Sequence, residues 1–192
     1  VNTAFSNYLI LFLLIKTDRH FFIIYLNEMS IIACEKIPIF DKINSLNIYI
    51  GDIVAVTSLK ILNNVDIVIS LVEIPTNETK VNYFIFPLED RRDVNISSLF
   101  ERTNEIIENN KDKKILINCY NGVSRSVTIL LAYFISIGIT LKDGLDKLKN
   151  RKQYSKPNIG FMRQLLKYEK EIIGKNSLNL NEFISITSVR SK

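Results

Sequence analysis

The sequence predicts an α/β fold, a central and mostly parallel sheet flanked by helices. Two observations carry this. Short, near-continuous runs of Ile, Val, Tyr and Phe recur between Leu46 and Asn118, as strands covered on both faces require. Segments whose apolar residues repeat at helical spacing alternate with them and then follow them, which is the α/β pattern. The strand candidates are LNIYI (46–50), VDIVISLV (65–72), NYFIF (82–86) and KILIN (114–118). SLKIL (58–62) is a short helix candidate. In ISSLFERTNEIIENN, Ile96, Leu99, Phe100, Thr103, Ile106 and Ile107 share one stripe, with Asn95 or Ser97 as the cap. Further helices are expected from Arg125 to about Ile137, over 141–152 and over 158–174. Pro157 and Asn158 open the last of these and Gly174 closes it.

This reading assigns the domain to residues 37–175, with 1–36 as an N-terminal extension and 176–192 as a loose polar tail. The runs YLILFLLI (8–15) and FFIIYL (21–26) fall short of the ~20 residues of a membrane span. The start VNTAFSN has no basic residue of the kind a signal peptide carries. Met29 opens MSIIACEKIPIF, so residues 1–28 are expected to be upstream sequence or to lie outside the fold. A cleaved or anchoring segment is the alternative; without it a cytoplasmic or nuclear location is expected and a membrane partner is not.

Composition removes several function classes. Two cysteines, Cys34 and Cys119, make no disulfide framework and fit a reducing compartment. The single histidine, His20, argues against Cys–His hydrolases and against a His-ligated metal. Charge is uneven. Between Lys142 and Lys175, ten Lys and Arg stand against four Asp and Glu, an excess of +6 compared with +5 for the whole chain. A solvated helical surface accounts for it; a face that steers acidic partners is the functional reading. No aromatic-plus-basic pattern accompanies it, which argues against a nucleic-acid partner.

The stretch ILINCYNGVSRSVTILLAYF, Ile115 to Phe134, carries the chemistry. A buried strand, a glycine-containing loop and a helix make an anion site, because loop N–H groups and the helix N-terminus converge there. Tyr120, Asn121, Gly122, Val123, Ser124 and Arg125 are the candidate phosphate-binding residues. Gly122 permits a backbone conformation that a side chain would obstruct. Arg125 offers a planar fork for two phosphate oxygens. The same positive field favours the nucleophilic thiolate form of Cys119. These residues together read as phosphoryl transfer through cysteine.

NCYNGVSRS resembles the signature loop of the cysteine-dependent protein phosphatases, a Cys, five residues and an Arg, with Gly third between them and Ser after the Arg. The remainder resembles the dual-specificity branch over roughly 40–173. IYIGD (48–52) and DIVISL (66–71) are similar to its first strands, FPLEDRRDVNISSLF (86–100) to its general-acid loop, and SRSVTILLAYF and PNIGFMRQLLKYE (157–169) to its later helices. The resemblance implies the cysteine phosphatase fold, with Cys119 as nucleophile, Arg125 on the phosphate, Ser126 assisting the leaving thiolate, and an acid ten residues before Phe100, at Asp90. Glu89 and Asp93 are the other carboxylates nearby, and Asp93 reads better as a solvated loop charge.

It also implies a phosphorylated protein substrate, with phosphotyrosine and phosphoserine/threonine both accepted. Only about 80 residues separate the domain start from Cys119, leaving little room for elements that deepen a tyrosine-only pocket. No cofactor or metal is implied, because Arg125, the loop N–H groups and the helix N-terminus supply the positive field. Vanadate should inhibit, and oxidation of Cys119 should inactivate. The departure is Asn118, where the family normally has His. Asn cannot become a cation, which implies a weaker hold on the thiolate and a slower enzyme. Other readings are a phosphate-binding module without turnover, supported only by Asn118, and a phosphatase of RNA 5′-phosphates or phosphoinositides, against which the uncharged Tyr120, Asn121 and Val123 argue.

Overall fold

The computed structural model describes residues 12–17, 20–25, 35–39, 46–74, 80–151 and 155–188, in two compact units, Val1–Ala33 and Cys34–Lys192. In the first, β1 (Phe12–Thr17) and β2 (His20–Tyr25) form an antiparallel hairpin with Leu14 opposite Ile23. The rest of 1–28 and Cys34 lie outside the described residues. No described helix is long and apolar enough to cross a membrane.

The second unit is built on five strands in the order β3 (Glu35–Ile39), β4 (Leu46–Gly51), β7 (Lys114–Asn118), β5 (Ile67–Ser70) and β6 (Asn82–Ile85). All neighbours run parallel except the edge strand β3. That strand sits across the boundary expected at 37. The four strands read from the sequence are all present, and both faces of the sheet are covered. Ile48, Ile50, Ile67, Ile69, Ile115 and Ile117 enter the larger core with the later helices. The residues alternating with them, Tyr49, Val68 and Leu116, join Ala55, Val56, Leu62, Val65, Ile74 and Val81 on the other face. This two-sided burial is why the strands read as continuous apolar runs.

The helices follow the expected periodicities. α1 spans Leu59–Leu62, and a 3-10 turn at Ser97–Leu99 leads into α2 (Phe100–Glu108). Asn95 Oδ1 accepts from the N–H of Ser98, as a cap does. α3 (Arg125–Ser136) is buried from Arg125 to Ile135 and lies at the centre of the larger core. α4 spans Leu141–Arg151 and α5 spans Ile159–Ile173, the latter capped by Asn158 and stopped by Gly174 at φ 86°.

The C-terminal expectation is corrected. Residues 176–188 are not a loose polar tail, since Leu180–Ser188 form α6 and Leu178 and Phe183 are buried in the main core, while 189–192 lie outside the described residues. Burial of such a side chain stabilises by about 1.5–3 kcal/mol. Asn179 Oδ1 accepts from the N–H groups of Asn181 and Glu182, and Glu182 Oε2 accepts from the N–H of Asn179, a reciprocal capping box. The fully buried Glu169 ties this segment down. Its Oε1 accepts from the N–H of Leu141 at 2.7 Å and from Ser177 Oγ at 2.6 Å, and its Oε2 accepts from the N–H of Ser177 at 3.0 Å.

Candidate active site

β7 is the last strand in sequence but lies between β4 and β5. Asn118 at its end pairs with Gly51 on one side and Ser70 on the other. Open α/β sheets bind ligands beyond such strand ends, where the strand order reverses. The loop leaving here is held at three points. The N–H of Cys119 donates to Gly51 O (3.4 Å), that of Ile53 to Tyr120 O (3.0 Å), and that of Lys156 to Val123 O (2.9 Å). Asp52 shapes the turn carrying Ile53, its Oδ1 accepting from the N–H groups of Val54 and Ala55. Gly122 has φ 64°, a conformation open to glycine at little cost. Among the described residues, no backbone N–H from Tyr120 to Ser124 donates within the protein, so this run of donors is available to an anion. Tyr120 itself stands out from the loop, 60% exposed.

The side chains at 119, 125, 126 and 90 meet here. Cys119 is buried, with Sγ 3.3 Å from Ser126 Oγ. The Arg125 side chain is only 10% exposed. Its Nη1 is engaged by Leu88 O (2.8 Å) and more weakly by Leu71 O (3.4 Å). These carbonyls orient the guanidinium and leave its Nε edge for oxyanions. Nε is buried without a hydrogen bond and lies 3.8 Å from Asp90 Oδ2. Of the three carboxylates in the acid loop, Glu89 and Asp93 are both drawn to Arg91, at 3.0 and 3.1 Å. A backbone hydrogen bond, and after it Arg91, hold the Asp93 carboxyl below its ordinary range. Asp90 is the one that turns towards the signature loop, where Ser124 Oγ donates to its Oδ1 at 2.9 Å.

Several residues that position the acid loop escaped the sequence reading. Asn158 Nδ2 donates to Asp90 Oδ1 at 2.7 Å. Gln164 Oε1 accepts from the N–H of Ser97, and its Nε2 donates to Val94 O. A Cβ on Gly160 would lie 1.9 Å from Arg92 O. The first turns of α5 thus form the seat on which the acid loop rests. The sequence marks Asn158 only as a cap, since its second use depends on a loop 68 residues away.

The family model described as "Dual specificity phosphatase, catalytic domain" matches residues 48–171. The chain belongs to the dual specificity phosphatase family. It is 40% identical over 98 residues to human dual specificity protein phosphatase 5, covering 50% of this chain and 26% of that protein. To dual specificity protein phosphatase 1 of Arabidopsis thaliana it is 30% identical over 142 residues, covering 69% of this chain and 72% of that one. The chain therefore spans about a quarter of the human relative's length and most of the plant relative's. The human DUSP28 crystal structure shares the fold with a TM-score of 0.61 at 23% identity, over 66% of this chain and 90% of that one.

Within this dual specificity phosphatase domain, Asn118 is the position where sequence and setting disagree. It is fully buried, and neither its Oδ1 nor its Nδ2 has a hydrogen-bond partner. Its cross-strand neighbour Ser70 has its hydroxyl on Val72 O instead. Each unpaired buried group costs about 1–3 kcal/mol. A histidine here would replace two idle groups with a ring able to carry charge beside Cys119. Asn118→His is expected to raise kcat/KM on an aryl phosphate about tenfold, the factor corresponding to about 1.4 kcal/mol of barrier. An unchanged or lower rate would show that Asn118 does not limit the loop.

Proposed function

We propose that this chain is a protein phosphatase that hydrolyses phosphotyrosine and phosphoserine/threonine through a cysteinyl-phosphate intermediate. The observation that carries the reading is the convergence at one strand end of Cys119, its neighbour Ser126 and a buried guanidinium whose Nε makes no hydrogen bond, beside Asp90. A phosphate monoester would rest on the loop N–H groups and the Arg125 fork. Cys119 Sγ attacks phosphorus, the bond to the leaving oxygen breaks, and Asp90 gives that oxygen a proton. Water then attacks the phosphocysteine and gives its proton to the Asp90 carboxylate. The Ser126 hydroxyl donates to the departing thiolate, and inorganic phosphate leaves.

The test is phosphate release by the full chain from phosphotyrosyl and phosphothreonyl peptides in excess chelator. Release from both peptides, blocked by vanadate, is expected. Peptide binding without release would turn the reading into a phosphate-binding module, which the unpaired Asn118 amide favours. Release only from an RNA 5′-phosphate or a phosphoinositide would change the substrate class.

A further inference from the structure

Asp90 Oδ1 accepts two hydrogen bonds, from Asn158 Nδ2 at 2.7 Å and from Ser124 Oγ at 2.9 Å. We propose that Asn158 is a positioning residue that decides which oxygen of Asp90 carries the transferable proton, an inference that rests on the phosphatase reading above. A protonated carboxyl has one O–H and otherwise accepts. With two donors already on Oδ1, the proton belongs on Oδ2. That is the oxygen 3.8 Å from Arg125 Nε, the guanidinium edge that a phosphate would meet. As the Sγ–P bond forms and the P–O bond breaks, the bonding pair stays with the leaving oxygen and the Oδ2 proton joins it. Asp90 is left as a carboxylate whose new charge is already met by the two donors on Oδ1. When water attacks in the second step, its proton returns to Oδ2.

Both donors trace to Asn158. Its Oδ1 accepts from the N–H groups of Gly160 and Phe161, at 2.9 and 3.0 Å, which fixes the amide with its oxygen on the helix and its nitrogen on Asp90. Its backbone N–H donates to Ser124 Oγ at 3.0 Å, so that hydroxyl turns its own proton to Asp90. Capping and positioning use different atoms of one side chain and can be separated.

Asn158→Ser keeps a capping oxygen of nearly equal quality and removes the donor to Asp90. Its thermal midpoint is expected within about 2 °C of wild type. Its rate on phenyl phosphate should fall about 10- to 100-fold, part of the 10²–10⁴ a general acid contributes. On dinitrophenyl phosphate, whose leaving group departs without a proton, the fall should stay below about 3-fold by the same rule. Added to Asp90→Asn, it should cost nothing further. An equal loss on both substrates, or a loss that persists in the Asp90→Asn background, would make Asn158 a cap only and overturn the proposal. If Asp90→Asn itself lowers both substrates equally, Asp90 is not the acid and the proposal falls with that assignment. Wild-type turnover that requires Cys119 would still uphold the phosphatase reading in that case.

Discussion

Cys119→Ser is expected to lower aryl phosphate turnover by roughly 10⁵–10⁶-fold, the scale on which removing a nucleophile acts. At about 1.4 kcal/mol per decade this is 7–8 kcal/mol of barrier. The serine hydroxyl has the right size but holds its proton at neutral pH, and the unit Cys34–Lys192 contains no histidine to take it, the chain's single one being His20. The fold should survive, because a hydroxyl of similar size keeps Ser126 Oγ, 3.3 Å from the thiol sulfur, as a hydrogen-bond partner. A thermal midpoint within about 4 °C of wild type is expected. Affinity for a phosphopeptide should be kept, since the Arg125 fork and the loop N–H groups remain. Phosphate release and phosphopeptide binding on the same preparation check both halves. Residual turnover above about 1% of wild type would contradict a loss of that scale and remove Cys119 from the mechanism.

Gly160→Ala carries the second large effect, and it acts through backbone. The new Cβ would lie 1.9 Å from Arg92 O and 2.6 Å from Arg92 C and Cα. No side-chain rotation relieves a clash with main chain, so either the acid loop or the first turn of α5 must move. Overpacking of this kind costs about 1–3 kcal/mol, a fall of roughly 2–12 °C in thermal midpoint for a chain of this size. The greater loss is expected in rate. Arg92 is two residues from Asp90, and a shift of about 1 Å in a reacting group can cost 100-fold. Phenyl phosphate hydrolysis should fall about 100-fold or more, while dinitrophenyl phosphate, needing no proton, is hydrolysed much closer to the wild-type rate. Full activity in this variant would mean that the loop is not fixed by its seat on α5.

Elements with a clear period and a buried partner were legible, as were the residues of one contiguous loop. KILIN and SRSVTILLAYF announce themselves because strand, loop and helix are adjacent in sequence. β3 was missed because EKIPI contains Pro38, and proline argues against a strand unless it lies at an edge, which is where β3 runs. α6 was missed because LNEFISITS is rich in residues of modest helix propensity. The spacing of Asn179 and Glu182 was the available signal, a capping box read as polar tail. Asn118 was recognisable as a departure, but the isolation of its amide was not, since that depends on Ser70 turning to Val72. The seat of the acid loop was hidden for a similar reason. Asn158, Gly160 and Gln164 look like the ordinary opening of a helix until a distant loop is laid across them.

A protease that nicked the chain between Gly174 and Ser177 would do more than trim an end. Leu178 and Phe183 fill space inside the same core as α3, so their departure would admit water beside the helix that carries Arg125. Glu169 would then be a buried carboxylate missing both of its bonds to Ser177. The stretch by which relatives recognise one another ends at 171, yet the globule closes only when α6 folds over it. A fragment cut at the limit of resemblance would keep every reactive group while losing the wall behind them.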